Sequence, residues 1–100
     1  MPAHQTASQS FLDTLESVPL ISADLELPEE PGVYFVATKR GFIVYIGQSN
    51  NMRRRWKDGH HRLLECMRNG AQRIYFQYTA EPKDLEELYI DQYNPICNHR

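Results

Sequence analysis

"GVYFVATKRGFIVYIG", residues 32–47, is the stretch whose reading decides the fold. Two runs rich in β-branched and aromatic residues flank Lys39-Arg40-Gly41, and that turn-like break predicts a β-hairpin. With Lys39 and Arg40 as a two-residue loop, Tyr34 falls directly opposite Tyr45 on one face of the sheet. A slip of one residue would send the two tyrosines to opposite faces. Neither Lys39 nor Arg40 is the glycine or asparagine that a two-residue loop prefers.

Downstream, "QSNNMRRRW", residues 48–56, runs from small polar residues into three arginines. Ser49, Asn50 or Asn51 can cap a helix, which the pattern extends from Asn51 to Arg68. Met52, Trp56, Leu63 and Met67 form one apolar stripe at helical period. Gly59 lies on it, a place for close packing or a kink. Arg55 projects at the stripe's edge and Arg62 shares that edge, whereas Arg54 points away. "QRIYFQYTA" then reads as a third strand with Ile74, Phe76 and Tyr78 on one face. Pro82 suits the first turn of a last helix, in which Leu85, Leu88 and Tyr89 form the buried stripe. Glu86 sits at that stripe's edge and Glu87 points to water. "NPICN" ends the helix and folds the chain back. Upstream, residues 1–10 read as a flexible tail and 11–30 as an N-terminal extension. In the extension, "FLDTLESV" suits a short helix with Phe11, Leu12 and Leu15 on one side, and "PLISADLELPEEPG" suits an extended connector.

The 100 residues carry a formal net charge of −2, unevenly placed. Lys39 to Arg73 holds nine basic residues and two acids, against two basic residues and eleven acids elsewhere. A basic middle between acidic flanks predicts a local anion-binding face. No apolar run is long enough for a membrane span, and the N-terminus lacks the pattern of a secretory signal. Cys66 and Cys97 form neither a disulfide framework nor a metal-spacing pair. A cytoplasmic protein with reduced thiols is expected.

In order along the chain stand "GVY" (32–34), "YIG" (45–47), "NNMRRRW" (50–56), Glu86, Pro95 and Asn98. In these the sequence resembles the GIY-YIG nucleases, over Pro31 to Asn98. "LPEEPGVY" is especially similar to the nuclease domain of the bacterial excision-repair endonuclease. Each motif alone is weak; the ordered set at matching spacing is specific. The resemblance implies a nuclease domain at 31–100, of α+β class, with a small three-stranded antiparallel sheet flanked by helices. It implies catalytic roles for Tyr34, Tyr45, Arg55 and Glu86, with Glu86 as the metal ligand for magnesium or manganese. Gly47, Gln48, Arg53, Arg62 and Asn98 are the candidate substrate-binding positions. Two departures stand out. Some relatives carry a lysine where this chain has Gln48, and many carry a histidine four residues after the arginine, where this chain has Gly59. His60 follows it, about 140° around a regular helix from Arg55, and joins the site only if the helix deforms at Gly59; His61 is a lesser candidate.

These residue types suit phosphodiester hydrolysis. One carboxylate with phosphate oxygens and waters is a usual way to hold magnesium. A guanidinium fork matches phosphate. A tyrosine that acts as base must have its ionised form stabilised, because a free phenol is protonated near pH 7. Which tyrosine serves stays open at this level. Taken singly, the tyrosines suit cross-strand packing, Glu86 suits a helix start, and Arg55 suits a solvated surface. The reading is a metal-dependent DNA endonuclease, selective for DNA structure rather than sequence. The alternative is a catalytically weak nucleic-acid-binding module of the same fold. The partners implied are DNA and a separate protein or targeting subunit, with no membrane.

Overall fold

The computed structural model describes residues 9–57 and 60–98. Four antiparallel strands form one sheet in the order β1-β4-β2-β3: β1 is Glu16–Pro19, β2 Gly32–Thr38, β3 Ile43–Ser49 and β4 Ala71–Tyr78. The sequence reading predicts three strands. The fourth, β1, pairs with β4 from Glu16↔Phe76 to Pro19↔Arg73. Glu16, Ser17 and Val18 fall in the segment expected to be helical and Pro19 opens the expected connector; the chain is helical at 9–12, so only the first two residues of the expected helix belong to one. The connector after it is not extended throughout: Leu20–Ser22 is a 3-10 turn and Ala23–Glu26 a short helix.

Both faces of the sheet are covered, which is why β2, between β4 and β3, is buried along almost its whole length. Val33, Phe35, Ala37 and Ile46 face the Pro82–Tyr93 helix, in a cluster with Leu12, Ile90 and Tyr93. Tyr34, Val36, Tyr45 and Phe76 face the other way, toward Met52, Trp56 and Cys66. On the Pro82–Tyr93 helix Leu88 is 61% exposed, contrary to expectation, and Pro82, Ile90 and Tyr93 are buried in its place.

The hairpin loop is one residue longer than predicted. Gly41 N–H donates to Thr38 O and Thr38 N–H to Phe42 O, closing a three-residue loop over Lys39, Arg40 and Gly41. Gly41 has φ +84°, the left-handed residue such a loop requires. A bulge between Val36 and Ala37 adds a second step. The register therefore moves by two residues: Tyr34 pairs with Gly47, and Tyr45 with Val36. A shift of two preserves side-chain parity, so both tyrosines stay on one face, as diagonal neighbours with ring centroids 6.4 Å apart.

The single helix predicted over 51–68 is two helices, Met52–Trp56 and Leu63–Arg68. Asn51 is the cap of the first, its Oδ1 accepting from Arg54 N–H at 3.0 Å. The predicted kink residue, Gly59, lies outside the described residues. After the break His60 organises a local turn: its carbonyl accepts from Leu63 N–H and its Nδ1 from Arg62 N–H at 3.1 Å. That turn competes with continued helix. It also resets the helical phase, so that Cys66 is buried and Met67 is 55% exposed.

Candidate functional site

The site grows from the Tyr34–Gly47 pair. A Cβ on Gly47 would lie 2.5 Å from Tyr34 Cζ and Oη, so the phenol lies across a backbone that only glycine leaves bare. Tyr34 is 1% exposed and its ring packs edge-on against Trp56 and His60. Its hydroxyl lies 2.8 Å from His60 Nε2. Because His60 Nδ1 accepts from Arg62 N–H, a neutral His60 carries its proton on Nε2 and donates it to the Tyr34 oxygen. Burial first, then the nearby charges of Arg55, His61 and Arg62, push the His60 pKa down to about 3. His60 is thus neutral at physiological pH, 4% exposed, and stacked on Trp56 with centroids 4.4 Å apart. The turn around His60 brings it against Tyr34 and Tyr45, where a regular helix would have turned it away.

Tyr45, 9% exposed, is the more accessible phenol. Its pKa is raised, chiefly by burial and next by the Glu86 carboxylate, while Arg55 and Arg62 pull it down. Tyr34 is raised further, by burial, then Tyr45, with Arg55 opposing and Glu86 adding. Arg55 and Glu86 therefore both act electrostatically on both tyrosines. Glu86 comes from the helix that packs on the opposite face of the sheet, yet its charge is felt by both phenols.

Arg55 is exposed on the last turn of its five-residue helix, and its Nη2 lies 3.0 Å from His61 Nδ1. Arg62 Nη1 pairs with Glu65 at 3.0 Å, and its Nε is buried without a hydrogen-bond partner. Two expected substrate-binding residues are committed to the fold. Arg53 Nε donates to Leu27 O at 2.7 Å and its Nη1 pairs with Glu29, turned toward the 23–30 segment. Asn98 accepts from Ile46 N–H and donates to Ile46 O, both at 2.8 Å, so its amide acts as one more peptide on the edge of β3 inside the "YIG" motif. Cys97 N–H adds a bond to Val44 O. Gln48 is half-buried and faces the start of the Pro82–Tyr93 helix, lining a cavity of about 320 Å³ with Asn50 and Lys83. Sequence reasoning assigned Trp56 to the core and ranked His61 below His60; the adjacent pair His60-His61 after Gly59 was the available signal.

Among the described residues no group of three or more His, Cys, Asp and Glu side chains is arranged to hold a metal. The donor set at the site, one carboxylate beside phenols and guanidinium, fits a hard ion that keeps most of its shell for water and phosphate, as magnesium does. It does not fit zinc. No helix among the described residues is long and apolar enough to cross a membrane.

The family model for the GIY-YIG catalytic domain matches residues 30–100. UvrABC system protein C of Synechocystis sp. is 34% identical over 102 residues, covering 92% of this chain and 16% of that protein. The Nostoc sp. protein of the same name is 32% identical over 103 residues, with 93% and 16% covered. The chain thus spans about a sixth of the length of these curated relatives. Among solved structures, the GIY-YIG N-terminal endonuclease domain of UvrC from Thermotoga maritima, a point mutant bound to its catalytic divalent cation, superposes with TM-score 0.68. It is 26% identical, covering 81% of this chain and 96% of that one. The magnesium-bound form of that domain superposes with TM-score 0.68 at 25% identity, covering 80% and 96%.

Proposed function

This chain belongs to the GIY-YIG family of nuclease domains, and from that premise we propose that it hydrolyses DNA phosphodiester bonds with a divalent cation, magnesium or manganese, held at Glu86. The observation that carries the reading is the placing of Tyr34 and Tyr45 on one face of the sheet, ring centroids 6.4 Å apart, within electrostatic reach of Arg55 and Glu86.

Each residue has a task its surroundings suit. Arg55 presents guanidinium donors to the scissile phosphate, where negative charge builds in the transition state. Tyr45, having first lost its own hydroxyl proton to solvent, acts as the phenolate that takes the proton of the attacking water. It is the more exposed phenol, and two arginines favour its ionised form. Glu86 opposes that ionisation. A divalent cation bound at Glu86 would offset its charge and would supply Lewis-acid activation of the phosphate. Tyr34 receives the His60 Nε2 hydrogen bond, which leaves its own hydroxyl proton for an acceptor within the site. Asn98 holds the Ile46 backbone, and with it Tyr45 and Gly47, in place.

The products we propose are 5′-phosphate and 3′-hydroxyl ends, with no covalent enzyme intermediate. The cations surround one short helix and one hairpin turn, a layout suited to phosphates rather than to base edges, so selectivity rests on DNA shape. A protein partner or targeting subunit is the proposed aid to targeting, and the cytoplasm is the proposed setting. The test is cleavage of a panel of linear, flapped, branched and single-stranded DNA in magnesium, manganese and EDTA. Metal-dependent cleavage strongest on flapped or branched DNA is expected. Binding without cleavage on every substrate would leave only the catalytically weak module.

A further inference from the structure

A ladder of rings runs from the core to the surface beside the site. Trp56 is buried; His60 stacks on it at 4.4 Å and 28°; His61 stacks on His60 at 4.6 Å and 21°. His60 is held in its plane at both ring nitrogens, by Arg62 N–H and the Tyr34 hydroxyl. His61 is exposed, yet it rests on this fixed ring. Its outward Nδ1 meets Arg55 Nη2 at 3.0 Å. A guanidinium only donates, so His61 Nδ1 is the acceptor, and the imidazole is the neutral tautomer with its proton on Nε2.

Building on the reading of Arg55 as the phosphate-facing cation, we propose that His61 is a positioning residue that holds the Arg55 guanidinium in its working orientation. Arg55 needs such a holder. It is a long, exposed side chain on a helix of five residues, beside an arginine, Arg53, that Leu27 and Glu29 hold elsewhere. One of its five N–H groups goes to His61, and a guanidinium has further donors to offer a phosphate. Protonating His61 turns Nδ1 into a donor and sets two cations against each other. The bond therefore exists above the His61 pKa and is lost below it. The charged groups facing His61 are Arg55 and Arg62, with His60 stacked on its ring. Partial burial, then Arg55 and Arg62, move its pKa below the ordinary histidine value, which keeps the acceptor in place at neutral pH.

The test has an arm that needs no cleavage. In nitrogen NMR of the whole chain, His61 is expected as the Nε2–H tautomer with a hydrogen-bonded Nδ1, and Arg55→Ala should raise its titration midpoint. An unchanged midpoint would overturn the proposal even if the protein cuts no DNA. In the kinetic arm, His61→Ala is expected to lower kcat about tenfold to a hundredfold, since small misplacements of a catalytic group reach this size. His61→Asn, whose Oδ1 replaces Nδ1 as an acceptor that does not titrate, should recover kcat to within about threefold of wild type and remove part of the acid-side fall in rate. In an Arg55→Ala background, His61→Ala should change nothing further. Wild-type kcat in His61→Ala, or the same loss with and without Arg55, would refute the positioning role while leaving the nuclease reading intact.

Discussion

Gly47→Ala is the smallest change that probes how the sheet builds the site. The added methyl would sit 2.5 Å from Tyr34 Cζ and Oη and 2.6 Å from Cε1, against roughly 3.5–4 Å for a normal carbon contact. The ring must move by about 1 Å, but Trp56 and His60 pack against it, and the 2.8 Å bond to His60 ties its far end. Overpacking of this kind costs about 1–3 kcal/mol, and loss of one buried hydrogen bond about 1 kcal/mol more. For a domain of this size the sum lowers Tm by roughly 8 °C or more. Displacement of the phenol should also reduce cleavage about a hundredfold. Thermal melts by circular dichroism and a nicking assay read the two effects. In a Tyr34→Ala background, with no ring to strike, Gly47→Ala should cost less than about 0.5 kcal/mol. A melt within 2 °C of wild type, or an equal cost in both backgrounds, would refute the argument that Gly47 exists to admit Tyr34.

The buried neutral His60 makes the fold acid-sensitive. Its folded pKa of about 3 lies below the unfolded value near 6.5, so its contribution is complete above pH 6.5 and is lost as pH falls toward 3. Between pH 7 and pH 5 that is about 2 kcal/mol, and a His60→Gln variant should show a correspondingly flatter dependence of Tm on pH. Arg55→Ala should lower the cleavage rate by about 10²–10³-fold. Arg54→Ala should mainly weaken DNA binding and reduce its salt slope by roughly one unit; equal rate losses would contradict the distinction. Asn98→Ala leaves the Ile46 N–H and C=O without their partner and should cost about 1–3 kcal/mol, measured by chemical denaturation. An unchanged denaturation midpoint would rule out the clamp.

What the sequence revealed and what it hid follow from the range of each signal. The pairing of the two tyrosines on one face survives an error in the loop, because face depends only on parity and the loop extension and the bulge together shift the register by two. The end of the sheet was hidden. β1 has one buried residue, Val18, and closes on a proline, so it shows no alternation by which to recognise a strand. Its partner β4 lies more than fifty residues away. The broken helix was hidden for a different reason. Its stripe was periodic on paper, but His60 makes tertiary bonds to Tyr34 and a local turn with Arg62 and Leu63 that the one-dimensional pattern does not contain. The same bonds bring His60 against both phenols. Arg53 illustrates the converse: its neighbourhood in sequence is the basic cluster, but its neighbours in space are Leu27 and Glu29.

The central claim is that Glu86 organises metal-dependent phosphodiester cleavage with the two phenols and Arg55. Nicking of supercoiled plasmid in magnesium by wild type, Glu86→Gln and Glu87→Gln tests it most directly. The account predicts nicking by wild type and Glu87→Gln that EDTA abolishes, and no nicking by Glu86→Gln at a Tm within a few degrees of wild type. Cleavage by Glu86→Gln at the wild-type rate, or loss of cleavage in Glu87→Gln alone, would contradict it.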